Sequence, residues 1–578
     1  MTLSPLDWAI IAVYLVGCIA AGVWMKRYIR GVEDFAVAGR EMDVNLGIAS
    51  LAATEVGIVT IMYTGQMGFT NGFAGATPGV LTAAMMFLVG CTGFVIVPMR
   101  NAGVITIPEL FENRFGKRVR WLAGLVVILG GVLNMGIFLR LGGEFLVHMT
   151  GLPPNYLEWT MTALLALVLV YTVLGGMLSV LITDYLQFLV MGLGIVITSV
   201  LVLWNVGWGD LKLALADVHQ GGVEFRHEQA AMEELAAAKL QTVRETQGRQ
   251  AAESLAAAQA QSQGRSLRAR AGELASCGVL VSTKKDEPAA AITMDDPFNP
   301  VASKGLGWVL WQTIFALSVV TTWQTTIARV LSTKDARTAK RMYRTTAFYW
   351  VGRFGLPGLW GAAAFVYFAA RGGLPGEGLD GLTAMPAFLK EILPVGIIGI
   401  MLAAMLAAEM STDSGYLLTW ATVIYNDLLL PVVRKPLSPK LKLLTIRSLV
   451  LLIGVFLVFY GLWYELPGGA WDYLAVTGNI YLASVFTLLV AALYWRPANS
   501  WGALAAIVLG AVGPISFLVV NALVPASSPW RIAPETAGFA SFGMAFGGML
   551  FGSLLRRILV RDDDAGAVAA VSPDDETP

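Results

Sequence analysis

Charge is what this chain has least of. Lys, Arg, Asp and Glu make up 14% of its 578 residues, against about a quarter in a soluble domain. The 40 basic and 40 acidic residues also cancel, so no nucleic acid is expected as a partner. Cysteine is nearly missing. Cys18 and Cys91 lie in apolar segments and Cys277 in a polar one, a distribution that suggests neither a disulfide framework nor a zinc site. The histidines His148, His219 and His227 are scattered. With no His/Cys cluster and no nucleophile elbow, the chain is not expected to be an enzyme.

What is there is hydrocarbon. Apolar residues are 56% of the chain, and a spanning helix needs about 20 of them in a run. Thirteen segments qualify: 6–25, 44–66, 79–98, 121–147, 157–175, 179–206, 306–331, 346–370, 395–428, 444–464, 470–494, 501–524 and 537–556. The expected class is therefore an all-α integral membrane protein. Several segments are too long to stand upright, so tilt or breaks are expected. The first has an acid ahead of its apolar run and no basic stretch, which reads as a spanning helix rather than a cleaved signal.

Lys and Arg gather in alternate loops: Lys26, Arg27 and Arg30; Arg114, Lys117, Arg118 and Arg120; Lys334, Arg337, Lys340, Arg341 and Arg344; Arg434, Lys435, Lys440 and Lys442; Arg556, Arg557 and Arg561. The positive-inside rule then puts the N-terminus outside and the C-terminus in the cytoplasm of a plasma membrane, expected to be a bacterial inner membrane. Residues 207–304 form an Ala-, Glu- and Gln-rich extracytoplasmic insert of helical propensity, with Gly248 and Gly264 as breaks. It is either a solvated appendage or a docking hairpin for a protein partner. Residues 557–578 read as a disordered acidic tail, and "GLTAMPAFLKEILP" as a short amphipathic helix at the outer face.

Ionisable side chains inside spans mark function by default. Here they are Glu55, Arg140, Glu144, Asp184, Arg353, Glu409 and Asp413. Around Glu55, Thr54, Gly57, Thr60, Thr64, Gly65 and Gly68 interrupt an apolar helix. That pattern suits either a discontinuous helix with free carbonyls or close helix packing. In "AAEMSTDSG", Ala408, Ser411 and Thr412 share one face. With two carbonyls of a broken helix they make about five oxygen ligands, enough for sodium; the alternative is hydroxyls bonded back to their own helix.

Four stretches resemble the sodium:solute symporter family: "EDFAVAGREM", "YTVLGGMLSVLITDYLQ", "QTTIARVLSTKDARTAKR" and "LAAEMSTDSGYLLTWATVIYNDL". Ala328 departs from the family's usual Gln. The resemblance implies a LeuT-type fold with two inverted repeats, the second to sixth and seventh to eleventh helices, plus one N-terminal and two C-terminal helices. Residues 1–206 would hold the first helix and first repeat, 305–496 the second repeat, and 497–556 the closing helices. It implies a sodium site at Ala53, Val56, Ala408, Ser411 and Thr412, and an acid near the sodium exit at Asp184. It implies sodium-coupled import of a small polar solute by alternating access.

For the solute, Glu55 and Thr60 of the second helix, Arg140, Trp311, Gln312 and Asn479 are the candidates. Arg140 either closes on Glu144 or faces the cavity, where its fork suits a carboxylate or zwitterion. A sugar carrier, or a sensor that kept the transporter fold, are the other readings. Glu409 and Asp413 are one turn apart on a face about 100° from the hydroxyls. Two ionised carboxylates there repel, so they imply an auxiliary cation or proton site, or pairing with a neighbouring donor such as Arg353 or with water.

Overall fold

A computed structural model describes residues 3–25, 38–276, 279–282, 290–371, 381–433, 438–463, 470–525 and 528–559. Lys26, Arg27, Arg30, Cys277, Arg434, Lys435, Arg561 and the acidic tail from 560 lie outside them. Counting helices of more than six residues, the order is α1 (Pro5–Met25), α2 (Val44–Glu55), α3 (Ile58–Asn71), α4 (Thr77–Thr92), α5 (Ile107–Phe115), α6 (Lys117–Thr150), α7 (Leu157–Val206), α8 (Trp208–Gln247), α9 (Arg249–Ala269), α10 (Leu306–Thr322), α11 (Gln324–Ser332), α12 (Ala336–Ala369), α13 (Ala384–Ile392), α14 (Ile397–Val423), α15 (Pro439–Trp463), α16 (Ala470–Tyr494), α17 (Ser500–Gly510), α18 (Val512–Leu523) and α19 (Pro534–Leu559). One small antiparallel hairpin, β1 (Leu280–Ser282) with β2 (Ala290–Ile292), lies in the insert.

Among the described residues, each of the thirteen expected segments is mostly helical. By length and apolarity alone, ten helices among the described residues can cross a membrane, or eleven if α10 and α11, bent by 42° at Trp323, count as one. The remaining difference has two sources. Residues 58–92 register as one stretch where two spans were expected, and α12 is not among the ten. Breaks and charged or polar residues dilute the apolar signal in these helices.

Three interruptions organise the bundle. Asp43 caps α2 by accepting the Leu46 N–H at 2.8 Å, and α2 ends at Val56 with φ −112° and ψ 85°. α3 restarts at Ile58 after an extended Gly57. The corresponding break in the second half is Trp323, with φ −65° and ψ 110°. α7 bends at Gly176, whose φ of 50° belongs to the left-handed region that glycine tolerates.

Apolar side chains of α1, α7, α15 and α19 are exposed, among them Val13, Leu189, Phe456 and Phe551; these faces suit lipid. α14, by contrast, is buried along nearly its whole length. The insert leaves α7 directly as α8. It has its own small apolar cluster of Phe225, Leu274, Val279 and Val281. Its Trp208 and Phe298 meet Phe73 beyond α3 with ring centroids 5.5 and 6.0 Å away.

Candidate functional site

The buried helix α14 runs across both breaks. Gly57 permits this approach: a Cβ there would stand 2.9 Å from Thr412 Oγ1. The end of α2 leaves carbonyls without helical partners, and the start of α3 leaves N–H groups without theirs. α14 answers each with the right polarity. Thr412 Oγ1 donates to the Thr54 carbonyl at 2.9 Å, and Glu409 Oε2 accepts the Ile58 N–H at 3.0 Å. A donor meets the negative end of one half-helix and a carboxylate meets the positive end of the other. At the second break, Trp323 Nε1 donates to Tyr416 Oη of α14 at 2.8 Å.

The expected sodium ligands Ala53, Val56, Ala408, Ser411 and Thr412 are all buried. The fold brings the α14 hydroxyls to the break. Thr412 Oγ1 bonds the carbonyl of Thr54, not that of Ala53 or Val56; the Ala53 carbonyl accepts the Val56 N–H at 3.3 Å. Hydroxyl and carbonyl oxygens with no thiolate or imidazole suit a hard cation. Thr412→Ala is therefore expected to raise the sodium concentration for half-maximal uptake about tenfold, the loss of about 1.4 kcal/mol. Thr412→Ser keeps the oxygen and should stay near wild type, and a sodium titration of uptake separates the two.

Asp184, expected at the sodium exit, is fully buried and sits within one bond of that set. It accepts from Ser411 Oγ and Ser50 Oγ, each at 2.6 Å, and from Thr54 Oγ1 at 3.3 Å. Arg329 Nη2 lies 3.5 Å away, itself with no exposed side-chain surface, and also donates to Thr54 Oγ1 at 2.6 Å. Sequence reasoning passed over Arg329. It stands among Ile327, Val330 and Leu331 near the end of its expected span, where a basic residue ordinarily marks the loop side.

Beside the break, a cavity of about 80 Å³ is lined by Thr54, Glu55, Thr60, Tyr63, Asn134 and Arg353 together with aromatic rings. Glu55 and Arg353 form a closed pair, Nη1 to Oε2 at 3.3 Å. Thr326 of α11 donates to Glu55 Oε1 at 2.5 Å, so this carboxylate joins the two broken helices through their own side chains. Arg353 Nη2 reaches Thr60 Oγ1 and Tyr63 Oη, each at 3.1 Å. Its guanidinium stacks 4.1 Å from the Trp350 ring centre. Among the described residues, Arg353 Nε and Asn134 Nδ2 have no acceptor.

The other sequence candidates stand elsewhere. Arg140 does not line the cavity; its Nε pairs with Glu144 Oε1 at 3.2 Å, the closed arrangement. Trp311 packs against Gly538 of α19, where a Cβ would come within 2.0 Å of its Nε1. Gln312 and Asn479 are buried but outside the lining. Arg353, considered as a partner for Glu409 and Asp413, is engaged with Glu55 instead.

A family model described as the sodium:solute symporter family matches residues 35–247 and 263–510. Sodium/glucose cotransporter 4 of Danio rerio is 24% identical over 553 residues, covering 88% of this chain and 72% of that protein. The sodium/mannose cotransporter of Bos taurus is 26% identical over 548 residues, covering 91% and 80%. The substrate-bound outward-open structure of a Na+-coupled sialic acid symporter superposes with a TM-score of 0.69 over 96% of this chain and 98% of that one, at 18% identity. At that identity the likeness is one of fold.

Proposed function

The chain belongs to the sodium:solute symporter family, and from that premise we propose that its solute is a small polyhydroxylated molecule of zero net charge, carried inward with sodium. Sodium-coupled symport itself comes with the family; the solute class is the proposal. The observation that carries it is the closed Glu55–Arg353 pair. A cavity whose charges already cancel has no uncompensated cation for a free anion. It does have spare donors, Arg353 Nε and Asn134 Nδ2, set among the rings of Tyr63, Phe315, Trp350 and Trp471. Hydroxyls can bridge the pair while the apolar face of a sugar ring packs on aromatics. The relatives named above for glucose and mannose transport support this reading.

A zwitterion is the second reading, favoured by the opposite charges of Glu55 and Arg353. Its two ends would open the pair and replace each partner in turn. A free carboxylate loses its support, because Arg140 is committed to Glu144.

Coupling is local on this view. Thr54 offers its carbonyl to Thr412, and the next residue, Glu55, holds Arg353. Sodium and solute therefore pull on adjacent residues of one break, and each strengthens the other by favouring the same arrangement. The membrane potential adds about 2.3 kcal/mol per charge per 100 mV. The walls must part to admit a solute, which is the movement alternating access requires. The basic loops support an N-terminus outside and a C-terminus inside, with the α8–α9 insert extracytoplasmic.

Uptake into proteoliposomes under a sodium gradient tests the solute class, using hexoses, amino acids and monocarboxylates. Hexose uptake is expected, and Asn134→Ala should raise its KM about tenfold, the ~1.4 kcal/mol of one buried hydrogen bond. Uptake confined to amino acids and abolished by Glu55→Gln would support the zwitterion. Uptake confined to monocarboxylates would overturn both.

A further inference from the structure

Glu409 and Asp413 sit one turn apart on α14, with 0% and 1% of their surface exposed. Among the described residues, only Glu409 Oε2 of their four carboxylate oxygens has a donor, the Ile58 N–H. Glu409 Oε1 and both oxygens of Asp413 have none. Three arginines of the bundle are committed elsewhere: Arg140 of α6 to Glu144, Arg329 of α11 to Asp184, Arg353 of α12 to Glu55. Tyr171 of α7 spends its hydroxyl on the Met410 carbonyl at 2.7 Å. On the facing helix α6, Gly142 leaves Glu409 Oε1 uncovered, since a Cβ there would stand 2.7 Å from it.

Buried carboxylates without donors cost several kcal/mol unless a counter-charge compensates them. Side chains four apart on a helix have Cβ atoms about 5–6 Å apart, close enough for both carboxylates to bind one small ion. The donor set is oxygen only, which disfavours a transition metal. The positive N-terminus of α3 already offsets part of the charge on Glu409, so a single positive charge is enough.

We infer that Glu409 and Asp413 hold a second sodium ion, on the face of α14 that meets α6 and apart from the Ser411–Thr412 set. The inference rests on sodium coupling, not on the solute class. Because Glu409 also caps α3, occupancy of this site bears on the half-helix that carries Thr60 and Tyr63 into the cavity.

Equilibrium binding of radioactive sodium to the purified full chain, in choline buffer, tests it. Wild type is expected to bind one more sodium per chain than Asp413→Asn. Gly142→Ala, which intrudes on Oε1 without changing charge, should weaken that extra site tenfold or more; it decides the matter by itself if Asp413→Asn is not monodisperse. An unchanged count in both variants overturns the inference, as a proton shared by the two carboxylates would produce. Displacement of the extra sodium by lower concentrations of calcium overturns the choice of ion. Wild type that binds no sodium at all would sink sodium coupling itself, a distinct result from the loss of one site.

Discussion

Arg329→Met is expected to abolish sodium-dependent uptake and to cost about 3–5 kcal/mol of stability, the usual penalty for stranding one half of a buried ion pair. Arg329 and Asp184 have no exposed side-chain surface and lie 3.5 Å apart. Besides Asp184 of α7, Arg329 reaches α2 and its own helix: Nη2 donates to Thr54 Oγ1 at 2.6 Å, Nε to Ser50 Oγ at 3.3 Å, and Nη1 to the Thr325 carbonyl at 3.1 Å. Met fills much of the space and leaves Asp184 with hydroxyl donors alone. The double variant Arg329→Met/Asp184→Asn removes the stranded charge and keeps a polar partner for Ser50 and Ser411. It should recover part of the stability without recovering transport. Thermal unfolding of the four proteins in detergent measures the cycle. A double variant no more stable than Arg329→Met would show that the pair is not what the charge relies on.

Gly361→Val is the second large effect. α3 and α12 cross on four glycines. A Cβ on Gly361 would lie 1.9 Å from the Gly65 carbonyl oxygen, and one on Gly68 would lie 2.0 Å from that of Gly358. Backbone meets backbone here, so no side chain can swing aside. In lipid, small residues of this kind are what allow helices to associate closely. Overpacking a core costs about 1–3 kcal/mol where side chains can adjust, and this site should exceed that range. α3 carries Thr60 and Tyr63 and α12 carries Arg353, whose hydrogen bonds cross the same seam. Gly361→Val is therefore expected to give little monodisperse protein on size-exclusion chromatography, and Gly361→Ala protein with a lowered unfolding midpoint and impaired uptake. A Gly361→Val protein with wild-type midpoint and uptake would mean that the two helices do not cross this closely.

Both sequence readings of the second helix are realised, at different residues. Gly57 serves the break, while Gly65 and Gly68 serve packing. The hydroxyls of Ser411 and Thr412 were legible because a helix repeats every 3.6 residues, so spacing alone puts them on one face. Arg140 was legible for the same reason: its partner is four residues away. Arg329 was not, because it lay near the end of a span, where basic residues ordinarily mark the loop side.

From the sequence alone came the all-helical membrane class, the break near Gly57 as one of two readings, and the oxygen-rich face of α14. All depend on local periodicity and on the cost of burying polar groups in hydrocarbon. Only the tertiary structure decided which buried charges meet. Glu55 pairs with a residue 298 positions away, and Glu409 caps a half-helix 351 positions away. No spacing rule reaches that far. Which helix faces which is set by the packing of whole helices, and that packing left Glu409 and Asp413 with three carboxylate oxygens that no group among the described residues satisfies.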